Sequence, residues 1–466
     1  MGHEQLYYLS ISEAATLLRC RQISPVDLTR AFLDRIDSKD PVINSYVTVL
    51  ADSAMKEAAI VASEIEKRGY RGPLHGIPIG LKDLFDTAGI RTTAQSKVLE
   101  HRVPDRDATV VSKLRQSGAI LLGKLAMHEF ALGSPTKSLF KPARNPWCTD
   151  RIPGGSSSGS AAAVAAGLCM GALGSDTMGS IRGPAALCGI VGLKPTYGRV
   201  SRSGVLPLSW TLDHCGPMTW TVEDSAIMLE VIAGHDPKDQ TSSSVKVPPY
   251  SSLIADMPRG IRVGVLRSYI IDAQEKMDPE ALSNFEDALR VMASIGATIN
   301  EVEILSLRSG DAANTVIMLA EAFSYHRKNL QLQPENFGHS VRTRFYTGGL
   351  FTSADYLHAQ QVRAQIQHQT QDLLQTVDVL ILPGSRSPAP EFSAFDPLAT
   401  SLQGGFMSLA NLTGFPAINV PSGFNSIGLP LSIQMIGRAF DEPTILRLAH
   451  AYEYATKANK NRRPDL

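Results

Sequence analysis

Hydrophobic and polar positions along the chain follow two patterns, one helical and one extended. Apolar residues recur at helical spacing through 26–36, directly after Ser24 and Pro25, a pair typical of a helix start. Ser10, with Glu13 three positions later, predicts an earlier helix start closed by a capping box. Further helices are predicted at 108–117, 161–170, 278–295, 354–376 and 442–455.

Short apolar runs lie between these helices and predict buried strands. The run HGIPIGLKDLFDTAGI (75–90) looks extended and carries Lys82 in its middle. Other strands are predicted at 119–123, 171–175, 190–200, 262–267, 377–383, 416–422 and 431–437. Strands that alternate with helices indicate an α/β fold whose sheet is covered on both faces. The polar stretch 236–250 is typical of a surface loop.

Charge and cysteine content narrow the classes of partner. Lys plus Arg and Asp plus Glu number 45 each, so no excess of positive charge would attract nucleic acid or an anionic membrane. The five cysteines include no C-x-x-C pair, which argues against a disulfide framework and a structural zinc site. With no visible signal peptide, we expect a cytoplasmic protein without metal or other cofactor.

One segment without charged residues, 152–175, raises the question of a membrane helix. Its first half is rich in Pro, Gly and Ser, and its apolar part starts only at Ala161. About 20 apolar residues are needed to span a bilayer, so a buried core helix is the better interpretation.

Three short catalytic patterns occur, and each lacks a required part. GSSSG (155–159) places Ser157 in a G-x-S-x-G motif, but the residues before it look like a loop instead of a strand. GAILLGKL (118–125) begins like a phosphate-binding loop, but Leu125 stands where a hydroxyl should hold Mg²⁺. Two overlapping S-x-x-K patterns at 134–141 are not followed by S-D-N or K-T-G.

A longer set of motifs remains. GGSSSGSAAAVAAG, GSDTMGSIRGPAALCGIVGLKPTYGRVS and GPMTWTVEDSA follow one another through 154–226, and GIPIGLKD and GKLAMHEFALG precede them. In this order they resemble the signature block of the amidase signature family. The resemblance implies a single domain over 1–466 built on a large mixed β-sheet, with a helical portion at roughly 1–70 packed on it. It also implies a hydrolase acting on carbon–nitrogen bonds of linear amides, other than peptide bonds.

The resemblance implies a Ser–Ser–Lys triad as well. Lys82 matches the family's basic lysine, Ser156 the bridging serine after a cis peptide bond from Gly155, and Ser180 the nucleophile that forms an acyl-enzyme. Burial among apolar neighbours would lower the pKa of Lys82 and leave a neutral amine. That amine could take a proton from Ser156, which in turn deprotonates Ser180 as it attacks a carbonyl carbon.

An oxyanion formed in this attack needs preorganised N–H donors. We expect them in the backbone amides of Thr177, Met178, Gly179 and Ser180. The chain departs from the common family pattern at Ser158, Met178 and Gly183. None of these is a triad position, so activity should survive in a reshaped pocket.

The substrate is predicted from residues outside the triad. By resemblance, Ala131, Leu132 and Gly133 border the substrate channel. The family's glutaminase branch binds the substrate amine with an acidic residue that lies shortly before a segment like 411–421. In this chain the corresponding stretch, SLQGGFMSLA (401–410), contains no acidic residue. We therefore expect a neutral, largely apolar amide, anilide, hydrazide or carbamate. Aromatic side chains that could wall an acyl pocket are Phe323, Tyr325, Phe337, Phe345, Tyr346 and Phe351.

The partner expected from this hypothesis is a small-molecule amide or carbamate, without nucleic acid or membrane; a homodimer is compatible with it. Three alternatives stay open. The chain could be the glutaminase (A) subunit of an Asp/Glu-tRNA amidotransferase, an allophanate- or biuret-type hydrolase, or a non-catalytic member of the family.

Overall fold

The computed structural model describes residues 6–255, 260–395, 406–457 and 463–466. Its α-helices are α1 (Ile11–Arg19), α2 (Pro25–Ile43), α3 (Ala51–Arg68), α4 (Thr109–Gln116), α5 (Ser158–Ala165), α6 (Arg182–Cys188), α7 (Val222–Ile232), α8 (Tyr250–Leu253), α9 (Arg267–Ala273), α10 (Pro279–Ser294), α11 (Gly310–Leu332), α12 (His339–Gly348), α13 (Ser353–Thr376), α14 (Ser408–Thr413) and α15 (Glu442–Thr456). Short 3₁₀ turns lie at Lys97–Leu99, Glu129–Ala131, Gln274–Lys276, Leu305–Ser309, Pro334–Asn336 and Phe392–Ala394.

The strands form one sheet. They are β1 (Tyr46–Val49), β2 (Pro78–Lys82), β3 (Ile120–Leu125), β4 (Gly171–Asp176), β5 (Val191–Lys194), β6 (His214–Thr219), β7 (Arg262–Val265), β8 (Thr298–Glu301), β9 (Val379–Pro383), β10 (Ala417–Phe424) and β11 (Pro430–Ile436). Their order across the sheet is β1-β3-β2-β4-β6-β5-β10-β11-β9-β7-β8. The pairs β2–β3, β2–β4, β7–β8 and β7–β9 are parallel, and the others are antiparallel. The predicted α/β fold with a large mixed sheet is confirmed.

The central strands are buried along their whole length. Every residue of β2, β3, β4 and β9 is buried, which requires that helices cover both faces of the sheet there. This burial explains why the runs are mostly apolar in the sequence, with Lys82, Lys124 and Asp176 as buried charged exceptions.

The two predicted helix starts near the amino end are confirmed. The Ser10 hydroxyl accepts from the Glu13 N–H at 3.1 Å, and the Glu13 carboxylate accepts from the Ser10 N–H at 2.8 Å. Ser24 caps α2 by accepting from the Val26 N–H at 3.1 Å. Each cap satisfies backbone donors that the first helical turn leaves without partners.

The portion at 1–70 also contains a strand that the sequence patterns missed. Residues 46–49 form β1, which pairs antiparallel with β3 at the edge of the sheet. The strand is short and not fully buried, so its apolar residues leave no clear pattern. Strands β6 and β8 were missed as well, and the helix predicted at 161–170 instead spans Ser158–Ala165. In the part of the chain that the structure describes, no helix combines the length and apolarity needed to cross a bilayer.

The topology places two strand ends side by side. Strands β2 and β4 are parallel neighbours, so Lys82 at the end of β2 and Asp176 at the end of β4 lie at the same edge of the sheet. Carboxyl ends of neighbouring parallel strands are where α/β sheets commonly form ligand sites. The candidate site begins at this edge.

Candidate active site

Lys82 is fully buried, and three serine hydroxyls surround its amine. The Lys82 Nζ lies 2.7 Å from Ser156 Oγ, 2.9 Å from Ser157 Oγ and 2.9 Å from Ser175 Oγ. Ser156 and Ser157 come from the loop before α5, and Ser175 belongs to β4. Of the three serines, only Ser156 was predicted to contact this lysine.

The environment of Lys82 disfavours its charge. Burial lowers the pKa of Lys82 to about 7, although the carboxylates of Asp176 and Asp213 act in the opposite direction. An ordinary lysine, with a pKa of about 10.4, carries almost no neutral amine at pH 7. Here about half of the lysine side chains are neutral at that pH and able to accept a proton.

Ser156 and Ser180 both line a cavity next to Lys82. The peptide bond between Gly155 and Ser156 is cis, and the Ser156 carbonyl accepts from the His128 N–H at 3.0 Å. The Ser157 N–H donates to the Ser180 carbonyl at 3.2 Å, which joins the loop before α5 to the turn that carries Ser180. Of the predicted triad, the structure joins Lys82 to Ser156 by a hydrogen bond and brings Ser180 to the same cavity.

Ser157, the centre of the G-x-S-x-G match, is placed differently. It is fully buried, and its hydroxyl lies between Lys82 and the Ser175 carbonyl, which is 3.2 Å away. Among the described residues that line the cavity, Ser157 is absent.

The turn that carries Ser180 is held by the buried carboxylate of Asp176. Asp176 accepts from the N–H groups of Gly179 at 2.7 Å and Ile181 at 3.1 Å, and from the Arg182 guanidinium at 3.0 Å. Burial alone would raise the pKa of Asp176, but Arg182 holds it well below its usual range. Asp176 therefore stays ionised and fixes the turn.

Gly179 permits the turn's shape. Its φ is +101°, and a Cβ at this position would come within 2.6 Å of the Met407 Cβ. Because the Gly179 N–H already donates to Asp176, it is not free to stabilise an oxyanion in this arrangement. The N–H groups of Thr177, Met178 and Ser180, the other predicted donors, have no acceptor in the described part of the chain.

The cavity has a volume of about 500 Å³. Ala131, Leu132 and Gly133 line it, as do Met178 and Gly183. None of the six aromatic residues considered in 321–356 is among its described lining residues; Phe337 and Phe345 instead pack around the rings of Phe130 and His326.

Charged groups in the cavity wall are positive. Arg344 from α12 and Arg386 line it, and no carboxylate does so within the described residues. The Arg344 guanidinium donates to the Leu132 carbonyl and forms no ion pair in the part of the chain that is described. Burial lowers the pKa of Arg344 to about 10, so it is still charged at neutral pH. Sequence reasoning missed this arginine because nothing in the helical pattern around it distinguishes it from a surface cation.

The His128 side chain completes this wall as a neutral ring. Burial, together with the charges of Lys82 and Arg344, lowers the pKa of His128 to about 3. No cluster of His, Cys, Asp or Glu suited to a metal ion occurs among the residues that the structure describes.

Comparisons with known proteins agree on the family. The model of the Amidase family matches residues 27–446. The A subunit of glutamyl-tRNA(Gln) amidotransferase from Carboxydothermus hydrogenoformans is 42% identical, over 98% of this chain and 99% of that protein. The protein of the same name from Trichlorobacter lovleyi is also 42% identical, over 97% and 98%.

Solved structures are similar over nearly the whole chain. The A subunit of glutamyl-tRNA(Gln) amidotransferase from Thermotoga maritima matches with a TM-score of 0.81 and 36% identity, over 96% of this chain and 95% of that one. A protein complex described as revealing the origins of an s-triazine catabolic enzyme matches with a TM-score of 0.91 and 31% identity, over 98% and 100%. Native peptide amidase from Stenotrophomonas maltophilia matches with a TM-score of 0.84 and 30% identity, over 98% of each chain.

These names overturn two expectations. The preference for a neutral, largely apolar amide, anilide, hydrazide or carbamate is wrong, because full-length relatives about 40% identical are amidotransferase subunits. The expectation of a small-molecule partner without nucleic acid is wrong for the same reason, since those proteins are named for a tRNA. The absence of an acid from 401–410 thus does not separate this chain from the amidotransferase subunits, and residues 401–405 lie outside the described residues.

Proposed function

Because the chain belongs to the amidase family, we propose that it hydrolyses the side-chain amide of glutamine as the A subunit of a tRNA-dependent amidotransferase. One observation carries the proposal: Arg344, a charged side chain with no described carboxylate partner, shares a cavity with Ser180. An arginine in this position suits an amide substrate that also carries a carboxylate, as glutamine does.

The first chemical step is acyl transfer to Ser180. Neutral Lys82 accepts the Ser156 proton, Ser156 accepts the Ser180 proton, and the Ser180 oxygen bonds to the amide carbon. The distance of 2.7 Å between Lys82 Nζ and Ser156 Oγ allows direct proton transfer between them, and the lowered pKa of Lys82 supports its role as the base.

The negative oxygen that develops needs donors that are already in place. The N–H groups of Thr177 and Met178 take this role, since Asp176 already engages Gly179 and thereby fixes the turn. When the carbon–nitrogen bond breaks, the proton held by Lys82 returns through Ser156 to the leaving nitrogen, which departs as ammonia. Water then attacks the acyl-enzyme through the same proton chain and releases glutamate.

The expected partners follow from the relatives. They are A subunits of glutamyl-tRNA(Gln) amidotransferases, so in this proposal the ammonia is used to amidate a glutamyl-tRNA in a larger assembly. The 42% identity to the first of those subunits, against 30% to peptide amidase over similar coverage, supports this assembly over an isolated amidase.

The test measures ammonia release by the chain purified from its own cells, together with the proteins that accompany it. L-Glutamine should be hydrolysed with a kcat/KM at least tenfold above that of glutamine methyl ester, whose carboxylate is masked. Arg344→Gln should remove this preference. Arg342→Gln is the matched control, because Arg342 lies on the same helix, donates to the Pro334 carbonyl and is not among the cavity residues.

The tRNA step has its own readout. Extracts whose only copy of the chain carries Ser180→Ala should no longer convert glutamyl-tRNA(Gln) to glutaminyl-tRNA(Gln) with glutamine as the nitrogen source. Equal activity on glutamine and its ester in the wild type, or unchanged conversion in the Ser180→Ala extract, would refute the proposal.

A second candidate is an anionic amide without an ammonium group, of the allophanate type. The described cavity wall offers arginines but no carboxylate to accept an ammonium group, and the complex linked to an s-triazine catabolic enzyme has the same fold with a TM-score of 0.91. This candidate predicts that allophanate is hydrolysed faster than glutamine in the same assay.

A further inference from the structure

We propose that Glu129 is a positioning residue for the substrate carboxylate, because it ties the helix that carries Arg344 to the cavity wall. The inference rests on the proposed function, in which Arg344 binds that carboxylate. Glu129 itself is not among the described residues that line the cavity, so it acts through Arg344 and not by contact with the substrate.

Glu129 connects three pieces of chain. One carboxylate oxygen accepts from the Ser96 hydroxyl at 2.6 Å, and the other accepts from the Gly338 N–H at 2.9 Å. Gly338 is the N-cap of α12, six positions before Arg344. The carboxylate therefore holds the amino end of α12, where it also meets the positive end of the helix dipole.

The same helix is attached a second time, at Arg344. The Arg344 guanidinium donates to the Leu132 carbonyl, and the Leu132 N–H donates to the Glu129 carbonyl at 3.1 Å. The turn 129–133 and helix α12 are thus joined at two points, by Glu129 at Gly338 and by Arg344 at Leu132. A shift of α12 at Gly338 would move the arginine relative to Ala131 and Gly133 in the cavity wall.

The fit at Gly338 is close. A Cβ added there would lie 2.4 Å from the Glu129 Oε2, so only glycine lets the carboxylate approach the helix end this closely. Glu129 is 5% exposed, and burial raises its pKa to about 7, against the hydrogen bonds from Ser96 and Gly338 and the charge of Lys97. Burial of a carboxyl group is unfavourable unless the group is hydrogen-bonded. For Glu129, the hydrogen bond from the Gly338 N–H is the one that reaches α12.

The experiment is a double-mutant cycle between Glu129 and Arg344, read as kcat/KM for L-glutamine. Glu129→Ala should lower kcat/KM about tenfold, mostly through KM, as expected for the loss of one hydrogen bond to a charged group. In an Arg344→Ala background the same change should cost less than about twofold, because the residue through which Glu129 acts is gone.

Two further variants separate positioning from general stability. Glu129→Gln should recover most of the loss, since its oxygen can accept from Gly338 while its amide donates to Ser96. Gly338→Ala, which forces the carboxylate away from the helix end, should reproduce the rise in KM even if Glu129→Ala folds poorly. Glu335→Ala, at an exposed carboxylate close to the same helix end, is the matched control and should have no effect.

Each outcome has a distinct meaning. An equal loss from Glu129→Ala in both backgrounds, or a loss confined to kcat, would overturn the role of Glu129 while leaving the proposed function intact. Absence of ammonia release from glutamine by the wild-type protein would instead overturn the proposed function, and this inference with it.

Discussion

Replacement of Ser175 by alanine should shift the pH dependence of catalysis to lower pH. Lys82 must be neutral to act as a base, so activity is present above its pKa of about 7 and is lost as the pH falls through that value. The Ser175 hydroxyl lies 2.9 Å from the lysine nitrogen and accepts a hydrogen bond from it. This contact is stronger for the ammonium form than for the neutral amine, so its loss destabilises the charged state.

The size of the shift follows from the difference between two hydrogen bonds. A bond to a charged group contributes about 1.5–3 kcal/mol and a neutral one about 1 kcal/mol, so the charged form loses roughly 1 kcal/mol more. Since one pKa unit equals about 1.4 kcal/mol, the pKa of Lys82 should fall by about 0.7 unit. At pH 6 the neutral fraction would then rise from about one tenth to about one third.

The assay is kcat for ammonia release from saturating glutamine between pH 5 and pH 9. Saturation removes the contribution of Glu129, which titrates near the same pH but is expected to affect substrate binding. Ser160→Ala is the matched control, because Ser160 is equally buried and donates to the Leu173 carbonyl without contacting Lys82.

The expected result is a relative gain at pH 6 of about fourfold over the wild-type profile, which is the ratio of the two neutral fractions of Lys82. An acid limb that stays near pH 7 in Ser175→Ala, or moves upward, would refute the idea that Ser175 stabilises the charged lysine. A uniform loss of kcat at every pH would mean that Ser175 maintains the geometry of the site instead of the charge state of the lysine.

Three further changes test the turn that carries the nucleophile. Ser180→Ala should abolish both turnover and the acyl-enzyme, which hydroxylamine would otherwise trap as a γ-glutamyl hydroxamate. Gly179→Ala should lower both kcat and stability, the latter by about 1–3 kcal/mol in denaturant unfolding, because a Cβ at φ +101° would collide with Met407. Asp176→Asn should lower the unfolding free energy by about 3–5 kcal/mol, because it leaves the buried Arg182 without its anionic partner.

The parts of the fold that were predictable are those with a strong local signal. Helix starts at Ser10 and Ser24 could be predicted because a cap is a contact between residues two or three positions apart. The mostly apolar runs around Lys82 and at 379–383 identified buried strands, since burial on both faces leaves few polar positions. Strand order could not be derived in this way, because pairing such as that of β5 with β10 joins segments more than 200 residues apart.

The same contrast between local sequence signals and contacts of distant segments holds for the candidate site. Lys82, Ser156 and Ser180 lie in motifs whose spacing could be compared with a family, and the structure brings them to one cavity. Ser175 lies in the same motif as Ser180 but was not predicted as a partner of Lys82. Its contact with the lysine depends on the parallel pairing of β2 with β4.

The error about the substrate has a physical cause that the structure identifies. The aromatic residues of 321–356 suggested an apolar acyl pocket. In the structure Phe345 faces the core and stacks on His326, while its chain neighbour Arg344 lines the cavity. On a helix, adjacent residues point about 100° apart, so a core-facing aromatic residue can stand directly beside a ligand-facing cation. The aromatic residues of this stretch therefore carry no information on what α12 presents to the substrate. Charge in the cavity wall is set by the rotation of this helix, and the contact between Glu129 and Gly338 is the feature of the fold that fixes the helix at its amino end.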